Sequence, residues 1–322
     1  MTTRSTNDEY QAATSRAAFR RRSGISLIKA IGGDVIDFLQ GMVTVDVKGI
    51  AADTSKRAAI LDTKGHILAD LFLHRREKSV FIETDHRTLN KLVDTLNRYI
   101  IMEDVTLTDV TGEFRSVSLY GPEAHDRLSD QAVVDAVAAG GWIAHRELIE
   151  LNRYDVWLPV GQVEGLCSYL HDSKITEISD ATYEVLRIEN GDPAWGSELT
   201  EATLLPEAEI PDIVSYTKGC YVGQEIIARL HSRGHTNRVL RQVLFTESIQ
   251  PISPESLIYI DGEDREVVRI TSAVRSPKYS NSWLALGYVR NTIVDAEGSL
   301  QGKIVDKEGN GMDVRFSVAP RG

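Results

Sequence analysis

Beyond Arg238 the chain breaks into six short strand-like runs, VLRQVLFT, SLIYID, EVVRITSAVR, WLALGYVR, GKIVD and MDVRFSVA, each separated from the next by turn residues. Runs of that length and spacing bury their apolar side chains by closing into a small barrel or pairing as a sandwich. The two-thirds before them have a different texture, strand patterns alternating with helical ones. A boundary is therefore expected near His235. At 322 residues the chain has material for two or three packed units. The division expected is a flexible leader over 1–20, an α+β domain of two interwoven lobes over 21–235, and a β-barrel over 236–322.

Within the α+β part, ISLIKAIG (25–32) reads as a strand, with Asp34 capping the helix of VIDFLQ and Gly41 ending it. RAAILDT (57–63) and HILADLFLHR (66–75) flank Lys64-Gly65, the mark of a hairpin. SVFIET leads into a helix capped by Thr84 or Asp85, whose Leu89, Leu92, Val93 and Leu96 recur at helical spacing. FRSVSLYG and LNRYDVWLPV (151–160) read as strands, VEGLCSYLHDS and DATYEVLRIENG as helices. LIKAIGGDVIDFL and SVSLYGPEAHDRL share one plan, strand, Gly, acid, helix, which suits a unit of two related halves such as a ferredoxin-like split βαβ. The Pro- and acid-rich stretch 192–212 has no period, and a loop of that length is functional or mobile.

Composition narrows the partners. The net charge is −11 and no basic run could track a phosphate backbone, so nucleic acid is not an expected partner. No apolar stretch reaches the ~18 residues of a membrane span, so no membrane is expected either. Two cysteines cannot build a disulfide framework or a paired C-x-x-C zinc site, and a reducing compartment, the cytoplasm, is the expected setting. The first residues lack an apolar h-region; their Arg-, Ser- and Thr-rich composition is like a transit peptide, but Asp8 and Glu9 count against that. His231 and His235 have helical zinc spacing without a third ligand nearby, and read as surface residues. Cys167 reads as helix core. A monomer is the default.

One of the two cysteines stands in KGCYVGQE (218–225). Gln224 to Arg233 has a helical apolar face, so Cys220 lies just before a helix N-terminus, where unpaired amides and nearby Lys218 would favour a thiolate. Gly219 and Gly223 leave room for a ligand or another backbone to approach. A buried cysteine at a tight turn is the plainer alternative, and the residues alone leave both open.

KGCYVGQE resembles the signature of the YgfZ proteins and their mitochondrial relatives, a branch of the glycine cleavage T-protein superfamily. FLQGMVTVDV (38–47), LPEAEI (205–210) and RITSAVRSPKYSNSWLALGYV (269–289) resemble further segments of that group, in the right order. The resemblance implies a T-protein-like three-lobed ring around a folate channel, with ferredoxin-like α/β lobes and a C-terminal small β-barrel. It also implies tetrahydrofolate or a one-carbon derivative as cofactor, and a role in iron–sulfur cluster assembly or maintenance, with assembly factors or client enzymes as partners. Cys220 is then the hallmark residue, with Lys218, Gly219, Tyr221, Gly223, Gln224 and Glu225 as its motif.

T-proteins proper are folate-dependent aminomethyltransferases with a G-G-x-x-D-D-L hairpin. The matching GHILADL (65–71) keeps the catalytic Asp as Asp70, and Ala69 replaces its neighbour. Asp70 is thus a candidate catalytic and folate-binding residue, against the alternative of a strand residue facing solvent. Asp155 falls where T-proteins carry a pterin-binding Glu. Arg187 falls on a family Arg that meets either the folate tail or a structural acid. A folate-dependent aminomethyltransferase or demethylase is therefore the rival reading, and a thiol-redox or scaffold protein a third.

Overall fold

The computed structural model describes residues 6–148, 150–246 and 250–319. The chain divides into two compact units, one formed by residues up to Thr182 with Pro211–Gln224, the other by Tyr183–Ile210 with the residues from Glu225 onward. Each unit is thus discontinuous in sequence. The leader expected to be flexible over 1–20 is ordered from Thr6: Thr6–Ser15 is a helix that buries Tyr10, Ala12 and Ala13, and a strand follows it at once.

In the first unit the strands are β1 (Ala18–Arg21), β2 (Ile25–Ile31), β3 (Ser55–Leu61), β4 (Ile67–Arg76), β5 (Ser79–Asp85), β6 (Thr106–Asp109), β7 (Phe114–Tyr120), β8 (Trp142–Glu147), β9 (Asn152–Pro159) and β10 (Thr176–Glu177). They form two five-stranded sheets, β3-β4-β5-β2-β6 and β10-β1-β7-β9-β8. Every pairing is antiparallel except β1 with β10, which is the α+β class expected. The shared plan of strand, glycine and helix is present at both places: β2 runs into a glycine and a short helix, then β3, β4, β5 and a longer helix, while β7 runs into a glycine, two short helices, the β8–β9 hairpin and a longer helix. Gly32 (φ 130°) and Gly121 (φ 102°) occupy corresponding turns. A Cβ at Gly32 would meet the carbonyl of Asp104, and one at Gly121 those of Arg16 and Ala13.

Strand alternation explains how the sheets pack. Leu71, Leu73, Ile82, Ala58 and Ile60 point to one face and build a core with the helices Val35–Met42 and Leu89–Tyr99. Val117, Leu119, Val156 and Leu158 do the same for the second sheet, against Leu166, Cys167 and Leu170 of the helix Val160–Asp172. The opposite faces meet each other. Between them lie Leu27, Phe81, Val110, Trp142 and Trp157, and beside these a layer of buried charge. Cys167 is core, as expected. Gly41 lies inside its helix rather than ending it, and the second helix starts after Thr88, later than Thr84 or Asp85 would place it.

The second unit holds the six expected strands, β11 (Arg238–Phe245), β12 (Leu257–Tyr259), β13 (Val268–Ser276), β14 (Ser282–Arg290), β15 (Leu300–Val305) and β16 (Gly311–Val318). They close into a barrel in the order β11-β14-β13-β12-β15-β16. Val243, Phe245, Ile258, Ile270, Ala285, Val289 and Phe316 fill its interior. Outside it, Leu240, Leu284, Leu286 and Tyr288 pack with Ile188, which comes from the helix Asp180–Glu189.

Candidate functional site

The cysteine motif is held on a platform made by the segment 38–47. Lys218 Nζ donates to the carbonyls of Val43 (2.7 Å) and Val45 (2.8 Å). Val222 N donates to Gly41 O (3.3 Å) and Ser215 N to Thr44 O (3.0 Å). Thr44 Oγ1 donates to Ile213 O (2.5 Å) and accepts from Ala59 N (3.0 Å), tying the platform to β3 as well. Two stretches that resemble the same family, with Val43 and Lys218 175 positions apart, are thus one piece of structure. Burial pushes the Lys218 ammonium down to about 8, although Asp46 favours its charge. Tyr221 lies beneath it, with Nζ 5.0 Å from the ring centroid, and burial pushes the phenol up to about 12.

Gly223 has φ +84°, and a Cβ there would stand 2.5 Å from the carbonyl oxygen of Asp62. The approach expected of this glycine is therefore made by the end of the β3–β4 hairpin. Gly219 has nothing within 4 Å of its missing Cβ. The helix begins at Gln224, with Glu225 in its first turn. Cys220 is exposed, so it is not the buried turn cysteine that the sequence left open.

Asp70 lies on the inner face of β4, paired with Arg57: Nε to Oδ1 at 3.0 Å and Nη2 to Oδ2 at 2.8 Å. The two side chains keep 19% and 17% of their exposure. Phe72, next on the same face, has the Arg57 guanidinium 6.0 Å from its ring centroid and that of Arg146 at 3.5 Å. Arg146 leads on to Asp155, so Asp70, Arg57, Phe72, Arg146 and Asp155 form one continuous run between the sheets. Ala69 points the other way and is fully buried.

Asp155 has no exposed surface. Its Oδ1 accepts from Ser118 Oγ (2.5 Å) and Arg153 Nε (2.9 Å). Its Oδ2 meets Arg146 Nε, Arg153 Nη2 (3.2 Å) and Arg22 Nη1 (3.1 Å). On the facing sheet Glu83 pairs with Arg22 (2.6 Å) and Arg146 (2.5 Å), and its Oε2 meets His74 Nε2 at 3.1 Å. Burial alone would raise both carboxyls, but Arg146, Arg22 and, for Asp155, Arg153 outweigh it and hold them well below the usual carboxylate range. Three guanidiniums around two carboxylates compensate for desolvation only because nearly every lone pair is used. The Asp155 carboxylate expected to face a pterin is thus committed inside the protein.

Arg187 is also committed, within the second unit. Its Nε and Nη2 donate to Glu184, its Nη1 to Asp192 O (3.1 Å) and Glu198 (2.9 Å), and its Nη2 also to Ser272 (2.8 Å). Of the two roles the resemblance left open, the structural acid is the one it fills, and no donor remains for a folate tail. His231 and His235 are exposed.

Arg57, Phe72, Arg22, Arg146, Glu83 and His74 were not anticipated. The signal for part of the set lay in LADLFLHR, where Asp70, Phe72 and His74 alternate with Ala69, Leu71 and Leu73 and so share one face.

Residues 2–158 match the family of the GCVT N-terminal domain. Over 240 residues the chain is 27% identical to a protein of Mycosarcoma maydis named iron-sulfur cluster assembly factor IBA57 homolog, mitochondrial, a stretch covering 68% of this chain and 54% of that one. The chain therefore spans about half the length of that relative. It is 26% identical over 288 residues to the tRNA-modifying protein YgfZ of Serratia proteamaculans, covering 86% and 85% of the two chains. In three dimensions it is similar to the glycine cleavage system aminomethyltransferase T from Bartonella henselae, with a TM-score of 0.82, 20% identity, and 97% and 88% of the chains covered. At that identity the likeness speaks for the fold alone.

Proposed function

We propose that this chain, which belongs to the YgfZ-like side of the glycine cleavage T-protein superfamily, is a tetrahydrofolate-binding accessory factor for assembling or maintaining iron–sulfur proteins. The observation that carries the reading is the docked motif: Lys218 and Gly223 fasten the 218–225 segment to its platform and leave the Cys220 thiol exposed. The name of one relative, an iron–sulfur cluster assembly factor, supports the same assignment, and the YgfZ relative supports the family. Two unpaired cysteines, one of them exposed, suit the reducing cytoplasm proposed as its setting. Assembly factors or client enzymes are the proposed protein partners.

Asp70, Arg57 and Phe72 are the proposed folate contacts, since Asp155 and Arg187 are saturated by their neighbours. A carboxylate, a guanidinium and an aromatic face at one partly open place suit a heteroaromatic ring with paired donors and acceptors. The rival aminomethyl transfer needs Asp70 to orient or take a proton, whereas both of its carboxylate oxygens are engaged by Arg57.

Calorimetric titration of tetrahydrofolate into the wild type and into Asp70→Asn tests the cofactor. Micromolar binding that weakens at least ~10-fold in the variant, about 1.4 kcal/mol, supports both ligand and site. Absence of binding to the wild type removes the folate and leaves the thiol with its protein partners. Asp155→Ala is a poor choice for this experiment. It would leave three arginines without their carboxylate, at a cost of about 3–5 kcal/mol, so any lost affinity could be lost folding.

A further inference from the structure

A second set of side chains, apart from the cysteine motif, has the arrangement of a nucleophilic centre. Ser55, the first residue of β3, lines a cleft of about 530 Å³ together with Val45, Asp46, Ile50, Lys56 and Asp212. Ser55 stands directly opposite His74 in the ladder, and its Oγ is 2.8 Å from His74 Nδ1. On the far side of the ring, Nε2 is 3.1 Å from Glu83 Oε2. The imidazole packs beside two mutually stacked indoles, its centroid 5.6 Å from that of Trp142 and 5.8 Å from that of Trp157, which restricts rotation of the ring.

The protons on this chain can be assigned. Glu83, ion-paired with Arg22 and Arg146, is a carboxylate and can only accept, so Nε2 carries the hydrogen. Burial keeps the ring neutral, which leaves Nδ1 as an acceptor for the hydroxyl of Ser55. The serine proton therefore points at a base, and the residue itself lines the cleft. Nucleophile, base and orienting carboxylate stand in that order, with the two ring nitrogens exchanged relative to the familiar serine triad.

We propose that Ser55, His74 and Glu83 form an acyl-transfer centre that hydrolyses short-chain esters bound in the cleft. Ser55 Oγ attacks the carbonyl carbon and its proton passes to His74 Nδ1, while Glu83 faces the imidazolium so formed. The carbon–oxygen bond to the leaving group then breaks, and Nδ1 returns the proton to the departing alcohol. Water attacks the acyl-serine and gives a proton to Nδ1, the bond to Oγ breaks, and Oγ takes that proton back. Val45 and Ile50 give an apolar wall for a short acyl chain.

This centre does not depend on folate, so it is tested without it. The native wild type is incubated with a fluorophosphonate, the adduct is mapped by peptide mass spectrometry, and hydrolysis of 4-nitrophenyl acetate is followed in parallel. The expected result is an adduct on Ser55 with esterase activity, both abolished in Ser55→Ala and slowed at least ~100-fold in His74→Gln. Circular dichroism reports whether each variant is folded. If His74→Gln is not folded, the urea-unfolded wild type replaces it, and Ser55 must then lose its reactivity on unfolding. No adduct on Ser55 in the native wild type overturns the proposal, as does labelling at equal rates with and without His74 or in native and unfolded protein.

Discussion

A thiol can act on a partner only if solvent reaches it, and the two cysteines differ in that respect. Cys220 is exposed on its loop, whereas Cys167 is fully buried among Leu166, Leu170 and Leu158, and burial pushes its thiol up to about 11. Iodoacetamide at pH 8 should therefore modify Cys220 to completion in the native protein and leave Cys167 untouched until denaturant is added, which peptide mass spectrometry would read directly. Cys220→Ser should change the unfolding free energy by no more than about 0.5 kcal/mol, as for other surface exchanges. A larger loss would mean that the thiol is part of the packing after all. At this scale the sequence was informative about kind and silent about commitment. Asp155 and Arg187 could be picked out as charged residues in ordered segments. Their saturation could not, because Arg22 and Arg146 reach Asp155 from other strands, and Ser272 lies 85 positions from Arg187.

Elements were legible where a pattern has one physical meaning. The alternation in ILADLFLHRR places Ala69, Leu71 and Leu73 on the helix-covered face of β4 and Asp70, Phe72 and His74 on the other. What it could not give is that the second face meets another sheet instead of solvent. The six barrel strands were legible for the same reason, being bounded by turns. The motif loop was readable only in part: two glycines with the same sequence meaning have different structural ones. Gly223 is in the left-handed region with Asp62 O 2.5 Å from its missing Cβ, while Gly219 faces open space. Gly223→Ala should lower stability by about 1–3 kcal/mol and change the rate of Cys220 alkylation, because the loop must lift from the hairpin to relieve the clash. Gly219→Ala should do neither. Thermal unfolding of the two variants with thiol titration on the same samples makes the comparison, and equal behaviour would show that the hairpin contact does not set the loop.

On the scale of the whole molecule, buried charge makes the first unit sensitive to acid. His74 is held below its ordinary value of 6.5 by burial, so as pH falls past 6.5 the unfolded chain binds a proton that the folded one refuses, and stability drops. Glu83 and Asp155 are depressed from 4.5 and 3.8, so their contribution is present above those values and is lost as pH falls below them. The unfolding free energy from urea titrations should therefore be flat above about pH 7, fall by up to about 1.4 kcal/mol per pH unit below 6.5, and fall more steeply below about 4.5. His74→Gln should remove the first stage only. The second unit carries a separate lesson, because it also includes chain from well before the barrel strands. The strand texture that begins near residue 238 marks where the barrel's strands start, but not where the unit does. Glu198, from the stretch 183–210, accepts from Thr271 Oγ1 (2.9 Å) and Ser272 Oγ (2.6 Å), and Glu189 accepts from Ser276 Oγ. Gln242 donates to the carbonyls of Ile188 and Glu189, and Ile188 covers Leu240, Leu284, Leu286 and Tyr288. No period in the loop's sequence advertises these contacts, since they are made by side chains reaching individual hydroxyls. A fragment of residues 236–322 would expose that apolar patch and leave Arg241 without Glu209. It should therefore be soluble only with denaturant or show poorly dispersed amide resonances, whereas the same fragment with residues 183–210 fused through a flexible linker should give a dispersed spectrum. A well-dispersed spectrum from 236–322 alone would mean that barrel closure suffices and that the stretch 183–210 is merely laid upon it.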